Sequence, residues 1–425
     1  MAKPDLTELG TTGLRRSGGF VHEEFLTALR GRRGLLVYRE MADNDPVIGS
    51  ILYAIEKVIL RLDWRVDPYD NSPEAKELAD FVDTCLEDMS DSYDQTLASI
   101  LSMLVYGFSF HEIVYKIRGG DNKDPQRNSK FSDGKIGWRK WPIRSQETLN
   151  NWMMDETGGI QGMRQMDPTG GGFRDIPIEK ALLFRTTVNK NNPEGRSLLR
   201  NSFRPWYYKR RIEEIEAIGI ERDLAGLPVA KVPPEYLSSG KTAAQQTVLD
   251  TITNIVQNIK RNEQEGVVFP LMFDDNGNEM FKLELLSSGG TRQFDTDKVI
   301  TRYDQRIAMS VLTDFILLGH ERVGSFSLGS QKMDLWTMSI DAIAKSIAEV
   351  INQFAIPRLM KLNNFTTELT PYLSYGQVSS VDLTEIADYV QKLTAAGVLM
   401  PDEKLEAYLR EQASLPPADT TNTVL

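Results

Sequence analysis

The first strong hydrophobic pattern in the chain is helical and begins near residue 46. Apolar residues recur there at spacings of three and four positions, namely Val47, Ile48, Ile51, Leu52, Ile55, Val58 and Ile59. The preceding Asp45 can cap a helix, and Pro46 suits a first helical turn. These residues predict a helix, and the alternation of apolar and charged residues from Leu62 to Pro68 predicts a strand after it.

Further helices and strands are predicted up to about residue 194. Two further helices and a strand are predicted over residues 73–89, 93–104 and 108–115. From residue 130 to 187 the chain has short strand-like runs separated by turn signals such as Asp133-Gly134. Residues 41–194 are therefore expected to form one α+β domain.

The second half of the chain is mostly helical, with one interruption. A stripe of Tyr208, Ile212, Ile215 and Ile218 predicts a helix that ends near residue 225. Residues 227–286 are expected to hold a small β-α-β-β unit. A further helix is predicted over residues 296–317.

Glycine and serine mark the segments that lack a period. The first 40 residues are rich in Gly and Arg and are expected to be a flexible arm. A Gly/Ser-containing loop is predicted over residues 319–331. Apolar residues then recur at helical spacing from Met333 to Phe354, which predicts a long helix, and a shorter helical unit and a tail follow.

Composition narrows the possible functions. The 425 residues carry 49 Lys and Arg against 60 Asp and Glu, a net charge of −11. Tight binding to duplex DNA comes from cations that neutralise phosphates, so this acidic chain is not expected to hold DNA strongly. With Cys85 as the one cysteine and only three histidines, neither an internal disulfide nor a His/Cys zinc site is expected. We find no secretory or membrane-spanning pattern and expect a soluble protein.

The best candidate for enzymatic chemistry is Ser239-Gly240-Lys241-Thr242, which follows a predicted strand and opens a predicted helix. A phosphate-binding loop belongs in that place. The first glycine of such a loop, however, is replaced by Glu235, and Pro233 and Pro234 precede it. Because a carboxylate there would repel phosphate, we favour an ordinary helix start, and a nucleotide-hydrolysing packaging motor is the alternative.

Other motifs also fail as catalytic, metal or cofactor sites. Asp274, Asn276 and Asn278 imitate the first ligands of a calcium loop, but Glu279 and Leu285 stand where Gly and Glu are needed. The histidines are widely separated, which leaves few candidates for His-based nucleophile activation. We therefore expect no enzyme activity and no cofactor.

A basic cluster, Lys209-Arg210-Arg211, lies on the helix predicted to end near residue 225. Three glutamates follow it, so a solvated face with i,i+4 ion pairs and a contact surface for another copy are equally compatible with the pattern. The aromatic side chains next to this cluster have more apolar surface than one helix can bury by itself. They are Phe203, Trp206, Tyr207 and Tyr208. They favour packing against another subunit or domain.

In its order of elements the chain resembles the portal proteins of tailed bacteriophages, most closely the Mu-like branch. The resemblance runs from about Ala42 to Pro416. Its best local matches are Asp45-Pro46-Val47-Ile48 through Trp64-Arg65-Val66, Tyr106-Gly107-Phe108-Ser109-Phe110-His111-Glu112, Gly195-Arg196-Ser197-Leu198-Leu199-Arg200, and Asp304-Gln305-Arg306-Ile307-Ala308 with Leu317-Leu318-Gly319. A long linker over residues 118–135 and the residues after Gly319 depart from the family pattern.

The resemblance implies an α+β portal-type fold and a ring of twelve copies at one capsid vertex. The implied parts are a wing at 41–194 with a long helix at 332–365, stem helices at 195–226 and 296–318, a clip at 227–295, a tunnel loop at 319–331 and a crown-like region at 366–425. A scaffold protein without a channel is a second alternative.

The resemblance also implies site residues and partners. The DNA channel would be lined by the tunnel-loop residues Gly319, His320, Glu321, Arg322, Val323, Gly324, Ser325, Phe326, Ser327 and Leu328. Stem and inter-subunit contacts would involve Trp206, Tyr207, Tyr208, Lys209, Arg210, Arg211, Arg302 and Arg306. Double-stranded DNA would pass without sequence specificity, and the protein partners would be a terminase, the major capsid protein and a head-completion or adaptor protein. The protein would be assembled in the host cytoplasm and reside in the virion, without contact with a membrane.

The departure at Glu235 gives a first prediction. The purified chain should show no ATP hydrolysis, and Lys241→Ala should leave nucleotide binding unchanged, because the loop lacks its first glycine. Equilibrium binding of a fluorescent ATP analogue to the wild type and the variant measures this. Saturable binding that disappears in the variant would contradict it.

Overall fold

The structure, a computed structural model, describes residues 8–225, 227–258, 273, 277, 279–286, 295–311, 326–378, 383–395, 400, 402, 405–406 and 409–410. The chain divides into two compact units. The first unit comprises residues 1–200 and 315–425, and the second comprises residues 201–314.

Helices and strands alternate in the first unit, whereas helices predominate in the second. The helices are α1 (Gly31–Asn44), α2 (Pro46–Leu60), α3 (Pro73–Glu87), α4 (Tyr93–Ile100), α5 (Met103–Tyr106), α6 (Phe203–Ala225), α7 (Pro234–Leu237), α8 (Ala243–Asn258), α9 (Thr296–Ser310), α10 (Phe326–Val350), α11 (Ile356–Leu362) and α12 (Leu383–Ala395). The strands are β1 (Arg16–Ser17), β2 (Phe20–Val21), β3 (Trp64–Asp67), β4 (Phe108–Glu112), β5 (Val114–Ile117), β6 (Ile136–Lys140), β7 (Ile143–Arg144), β8 (Leu149–Met154), β9 (Ile160–Met166), β10 (Phe173–Pro177), β11 (Ala181–Arg185), β12 (Leu227–Lys231), β13 (Lys282–Leu286) and β14 (Tyr372–Tyr375).

Small antiparallel sheets and an aromatic core make up the first unit. Two three-stranded sheets have the strand orders β11-β4-β7 and β10-β9-β8. Their shared core contains Phe108, Phe110 and Trp152, and the Trp152 ring meets the two phenyl rings edge-on at centroid distances of 5.2 and 6.1 Å. Edge-on aromatic pairs have a preferred geometry, so they favour one fixed packing of these three rings.

Capping side chains set where the helices of this unit begin. Asp45 Oδ1 accepts hydrogen bonds from the backbone N–H groups of Val47 and Ile48, both at 3.0 Å, so the helix predicted to follow Asp45 is confirmed as α2. Ser92 and Gln95 exchange reciprocal 3.1 Å bonds at the start of α4. In the described part of the chain no helix has both the length and the apolar character for a bilayer crossing.

The segment expected to be a flexible arm is instead folded from residue 16 onward, which corrects that expectation. The β1–β2 hairpin lies against β8, where the N–H of Trp152 donates to the carbonyl of Gly19 at 2.9 Å. Residues 31–44 form α1, which buries Tyr38 and Met41. No helical pattern was visible here, because only these few positions of a charged, glycine-containing stretch contact the core.

Two buried cations hold the 118–135 segment, the departure from the family pattern. The Lys116 ammonium lies 3.0 Å from Asp88 Oδ2 and donates to the carbonyl of Asn128 at 2.8 Å. The Arg118 guanidinium pairs with Asp133 at 3.0 Å. The segment is thus a folded loop between β5 and β6 rather than a linker.

The second unit contains a helix pair, α6 and α9, and a small two-stranded sheet. Strands β12 and β13 are antiparallel, with Lys231 opposite Lys282. Residues 259–272 of the predicted β-α-β-β unit lie outside the described residues.

The long C-terminal helix begins earlier than expected. Helix α10 starts at Phe326, so residues 326–331, which we had assigned to the loop, have a helical backbone. The physical reason is a seven-residue apolar spacing through Phe326, Met333, Ile340 and Ile347, which extends the helical pattern backwards. A π-turn over residues 351–355 separates α10 from α11.

A cavity of about 330 Å³ lies in the first unit, lined by residues from the arm, α1 and the 187–200 segment. Glu194 lines it, and its Oε1 accepts a 3.3 Å hydrogen bond from Trp152 Nε1. Burial raises the pKa of Glu194 to about 7, and that single hydrogen bond offsets the effect only in part. No cation among the described residues forms an ion pair with this carboxyl group.

The raised pKa predicts a pH-dependent stability. The folded state holds the Glu194 proton more tightly than the unfolded state, so the stabilisation is complete below the ordinary carboxyl pKa and is lost as the pH rises through about 7. Glu194→Gln should therefore be more stable than the wild type by about 3 kcal/mol at alkaline pH, with little difference near pH 4. Urea unfolding followed by tryptophan fluorescence measures both.

The control is Glu77→Gln, an exposed glutamate of the same unit, which should change stability little at either pH. An unchanged pH dependence of unfolding in Glu194→Gln would refute the assignment.

Candidate functional site

All eight predicted stem residues lie on the antiparallel pair formed by α6 and α9. The pairing is fixed at several levels along the helices. Lys209 meets Asp304 near the middle, and the Thr296 hydroxyl donates to Glu216 Oε1 farther along. As residue numbers rise in α6 they fall in α9, so the two helices share one long side-by-side contact.

Lys209 is an internal residue of this pair. Its ammonium nitrogen lies 2.5 Å from Asp304 Oδ1, and only 3% of its side chain is exposed, against 23% for Asp304. Our assignment of Lys209 to a surface contact is therefore corrected: the ion pair joins the two helices of one chain. A cation removed from water requires such a partner.

Arg210 and Arg211 have partners on their own helix. Arg210 bonds Glu214 at 3.1 Å, and the Arg211 guanidinium donates to the Tyr207 hydroxyl at 3.0 Å. The Arg210 guanidinium also lies over the Trp206 ring, 5.7 Å from its centroid. These contacts match the solvated face of i,i+4 pairs more closely than a free basic patch.

The aromatic residues divide into buried and exposed members. Trp206 is 5% exposed, whereas Tyr207 and Tyr208 are 39% and 44% exposed. Tyr208 stacks on Tyr303 across the helix pair, with a centroid distance of 6.4 Å and an angle of 23° between the rings. The sequence marked Tyr208 but gave no indication of its partner on α9.

Three arginines surround the stacked tyrosines. Arg204 lies 6.0 Å from the Tyr208 centroid, and Arg302 and Arg306 lie 5.6 and 5.8 Å from that of Tyr303. Arg204, Pro205 and Arg306 line, with the two tyrosines, a cleft of about 390 Å³, which we call the arginine–tyrosine cleft; Arg302 flanks it over the Tyr303 ring. Within the residues that the structure describes, no carboxylate is in ion-pair distance of these arginines. Sequence reasoning missed Arg204, because its place in a cleft shared with Tyr303 depends on the helix pairing.

The helix pair also exposes apolar side chains along its length. Ile215, Ile218 and Ile220 are 66%, 48% and 54% exposed, and Met309 on α9 is 58% exposed. Single exposed apolar residues are normal, but three within two turns of one helix are typical of a surface that another molecule covers.

The predicted tunnel loop falls largely outside the described residues. This applies to Gly319, His320, Glu321, Arg322, Val323, Gly324 and Ser325. Phe326, Ser327 and Leu328 form the first turn of α10 in backbone terms. The DNA-channel assignment of these residues stays a prediction.

The phosphate-loop candidate is an ordinary helix start, as the sequence favoured. The Thr242 hydroxyl accepts from the N–H of Gln245 at 3.3 Å, and Gln245 Oε1 accepts from the N–H of Thr242 at 2.8 Å. This reciprocal cap starts α8. The preceding strand, β12, pairs antiparallel with β13, whereas a nucleotide-binding core uses parallel strands.

Fold and sequence agree on one class of protein, the phage portal proteins. Residues 35–414 match the family described as portal protein of Mu bacteriophage. This match covers most of the chain, and the chain therefore belongs to that family. The earlier resemblance to the Mu-like branch is confirmed.

Solved structures with the same fold come from phage-like particles. A chain in the neck of an empty gene transfer agent (GTA) particle, computed with C6 symmetry, aligns with a TM-score of 0.53 and 11% identity, covering 90% of this chain and 94% of that one. A chain in the neck of the native particle, computed with C12 symmetry, aligns with a TM-score of 0.52 and 10% identity over 91% and 95%. At such low identity these structures establish the shared fold.

The ion pair between α6 and α9 gives a testable difference in stability. Asp304→Asn should lower the free energy of unfolding by about 3 kcal/mol, because it removes the nearer of two carboxylates that face the buried Lys209 charge and leaves Glu213 at 4.0 Å. Glu214→Gln breaks the exposed pair with Arg210 and should cost less than about 0.5 kcal/mol. Chemical denaturation of both variants measures the contrast, and equal costs would disprove the structural role of Asp304.

Proposed function

We propose that this portal-family chain assembles into a closed ring of twelve copies at one capsid vertex. The observation that carries the proposal is the arginine–tyrosine cleft together with the exposed isoleucines on α6. Both features are exposed among the described residues, and a neighbouring copy would cover them. Rings arise when one surface of each copy contacts a different surface of the next.

Charge on the helix pair supports a head-to-tail contact between copies. The cleft is cationic, with Arg204, Arg302 and Arg306 at its edge. The exposed Glu214 farther along α6 already pairs with Arg210 at 3.1 Å, so the carboxylates for this cleft would come from a different surface of the next copy. Arginine forms strong, directional bonds with carboxylates, which would fix the angle between copies. The C6 and C12 symmetries named for the structurally similar neck particles also favour a ring.

In the proposed ring, double-stranded DNA passes through the central channel during packaging and ejection. The net charge of −11 suits this role, because a polyanion slides more freely past a surface that lacks a continuous cationic lining. We assign the narrowest part of the channel to residues 319–325 of the predicted tunnel loop, where His320 and Arg322 would make brief phosphate contacts; residues 326–331 belong to helix α10.

The remaining parts follow the portal plan. We propose that residues 41–194 with the 332–365 helical region form the wing, 195–226 and 296–318 the stem, 227–295 the clip, and 366–425 the crown-like region. The ring would dock a terminase, the major capsid protein and a head-completion or adaptor protein. On this proposal the terminase supplies ATP hydrolysis, and the chain itself acts as a non-enzymatic component of the virion, without cofactor or membrane contact.

Native mass spectrometry tests the ring and the role of the cleft together. The wild type should appear as a closed oligomer of 48.0 kDa subunits. The triple variant Arg204→Gln, Arg302→Gln and Arg306→Gln should need at least about tenfold more protein for half-assembly, because each copy loses charge-assisted bonds to its neighbour.

A matched control removes the same charge from exposed arginines of the first unit. It carries Arg32→Gln, Arg33→Gln and Arg61→Gln and should assemble like the wild type. A wild type that remains a single 48.0 kDa species at micromolar concentration would contradict the ring. Equal loss of assembly in both triple variants would contradict the role of the cleft. Rings that assemble in capsids yet admit no DNA would favour a scaffold without a channel.

A further inference from the structure

A second cationic cleft lies within the first unit. It has a volume of about 620 Å³ and lies between the 118–135 loop and the end of strand β6. Three cationic side chains line its wall and have no carboxylate in ion-pair distance among the described residues. These are Lys130, Arg139 and Lys140. We call it the Arg139 cleft.

A β-bulge places neighbouring residues on the same cleft. In the β5–β6 pair Val114 is opposite Lys140 and Tyr115 is opposite Trp138, so Arg139 is an extra residue without a partner on β5. In a regular strand adjacent side chains point to opposite faces. A bulge redirects the extra side chain, and here both Arg139 and Lys140 line the cleft.

The Arg139 guanidinium is held in place but remains incompletely bonded. Its Nη2 donates to Gln126 Oε1, a side chain of the loop. Its Nε is buried and has no hydrogen-bond partner among the described residues. A buried N–H without an acceptor is costly and is itself closed to another molecule, so a ligand would have to bond the remaining N–H groups of the guanidinium, which Gln126 holds at the cleft.

The charges around the cleft point to an anionic ligand. In the described part of the chain no carboxylate is in ion-pair distance of Arg139 or Lys140. The Lys130 ammonium donates to the backbone carbonyl of Glu87 at 2.9 Å and keeps its charge uncompensated. Asp88 also lines the cleft, but its charge is offset by Lys116 at 3.0 Å. The cleft is therefore cationic in a chain with a net charge of −11.

We propose that the Arg139 cleft binds a short acidic segment of a partner protein, through carboxylates that bond Arg139, Lys140 and Lys130. The buried Met89 and the adjacent Pro125 add apolar contacts that suit a peptide. Duplex DNA fits less well, because a row of phosphates extending beyond the cleft would meet the exposed carboxylate of Asp91, which follows the lining residue Ser90 in sequence. The proposal does not depend on ring assembly, since the cleft lies within one copy.

Fluorescence anisotropy with a fluorescein-labelled hexaglutamate peptide tests the proposal on the full chain. The wild type should bind the peptide and should bind a hexaglutamine peptide of the same length at least about tenfold more weakly. The double variant Arg139→Gln and Lys140→Gln should lose at least about tenfold in affinity for hexaglutamate. The binding should also weaken as salt is raised from about 50 to 150 mM.

A control with the same charge change is Lys123→Gln with Lys180→Gln, two exposed lysines outside the cleft lining. It should keep wild-type affinity, and equal thermal unfolding midpoints show that both double variants are folded. Absence of hexaglutamate binding in the wild type, or equal affinity in the two double variants, overturns the proposal. A 20-base-pair duplex that binds more tightly than the peptide, and is lost with Arg139 and Lys140, overturns the peptide assignment and makes the cleft a nucleic-acid site.

Discussion

Buried ion pairs organise both units of the chain, because a charge removed from water needs an opposite charge or hydrogen-bond acceptors close by. Lys116 and Arg118 reach Asp88 and Asp133, and thereby fold the 118–135 segment back onto the α+β unit. In the second unit a similar pair sets the register of α6 against α9. Each pair is costly to break, because the remaining charge is left in a medium of low polarity. These ion pairs therefore position two much larger parts of the chain, the 118–135 loop and the α6–α9 helix pair.

Arginines and lysines that lie at the two clefts without a carboxylate partner among the described residues have a different role. The arginine–tyrosine cleft and the Arg139 cleft lie on different units, yet each depends on a buried ion pair for its shape. The Lys209 pair aligns Tyr208 with Tyr303, and the Lys116 pair holds the loop that presents Gln126 to Arg139. The internal cations thus build the fold, and those left without carboxylates mark surfaces for other molecules.

Local signals explain which parts of the fold could be predicted from the sequence. The helix after Asp45 and the reciprocal cap at Ser92 depend on residues within one turn, and the structure has both. The start of α1 was missed, because a charged, glycine-rich stretch becomes helical only when its few apolar residues reach the core. Strand β3 was predicted as a strand, but its pairing with β14, at Tyr372–Tyr375, is a contact across most of the chain that no local pattern encodes.

At the candidate sites, too, the residue types could be predicted from the sequence, but their positions in the fold could not. The basic and aromatic residues of α6 were visible as a cluster, yet whether a given lysine is internal or available to a partner depends on a residue far along the chain. Lys209 is internal because Asp304 lies opposite, whereas Arg204 lies at a cleft because Tyr208 stacks on a tyrosine of α9. Arg139 carried no signal at all, since a bulge is a property of strand register. For this chain, the sequence predicts which chemical groups are present, and the helix and strand pairings decide which of them face a partner.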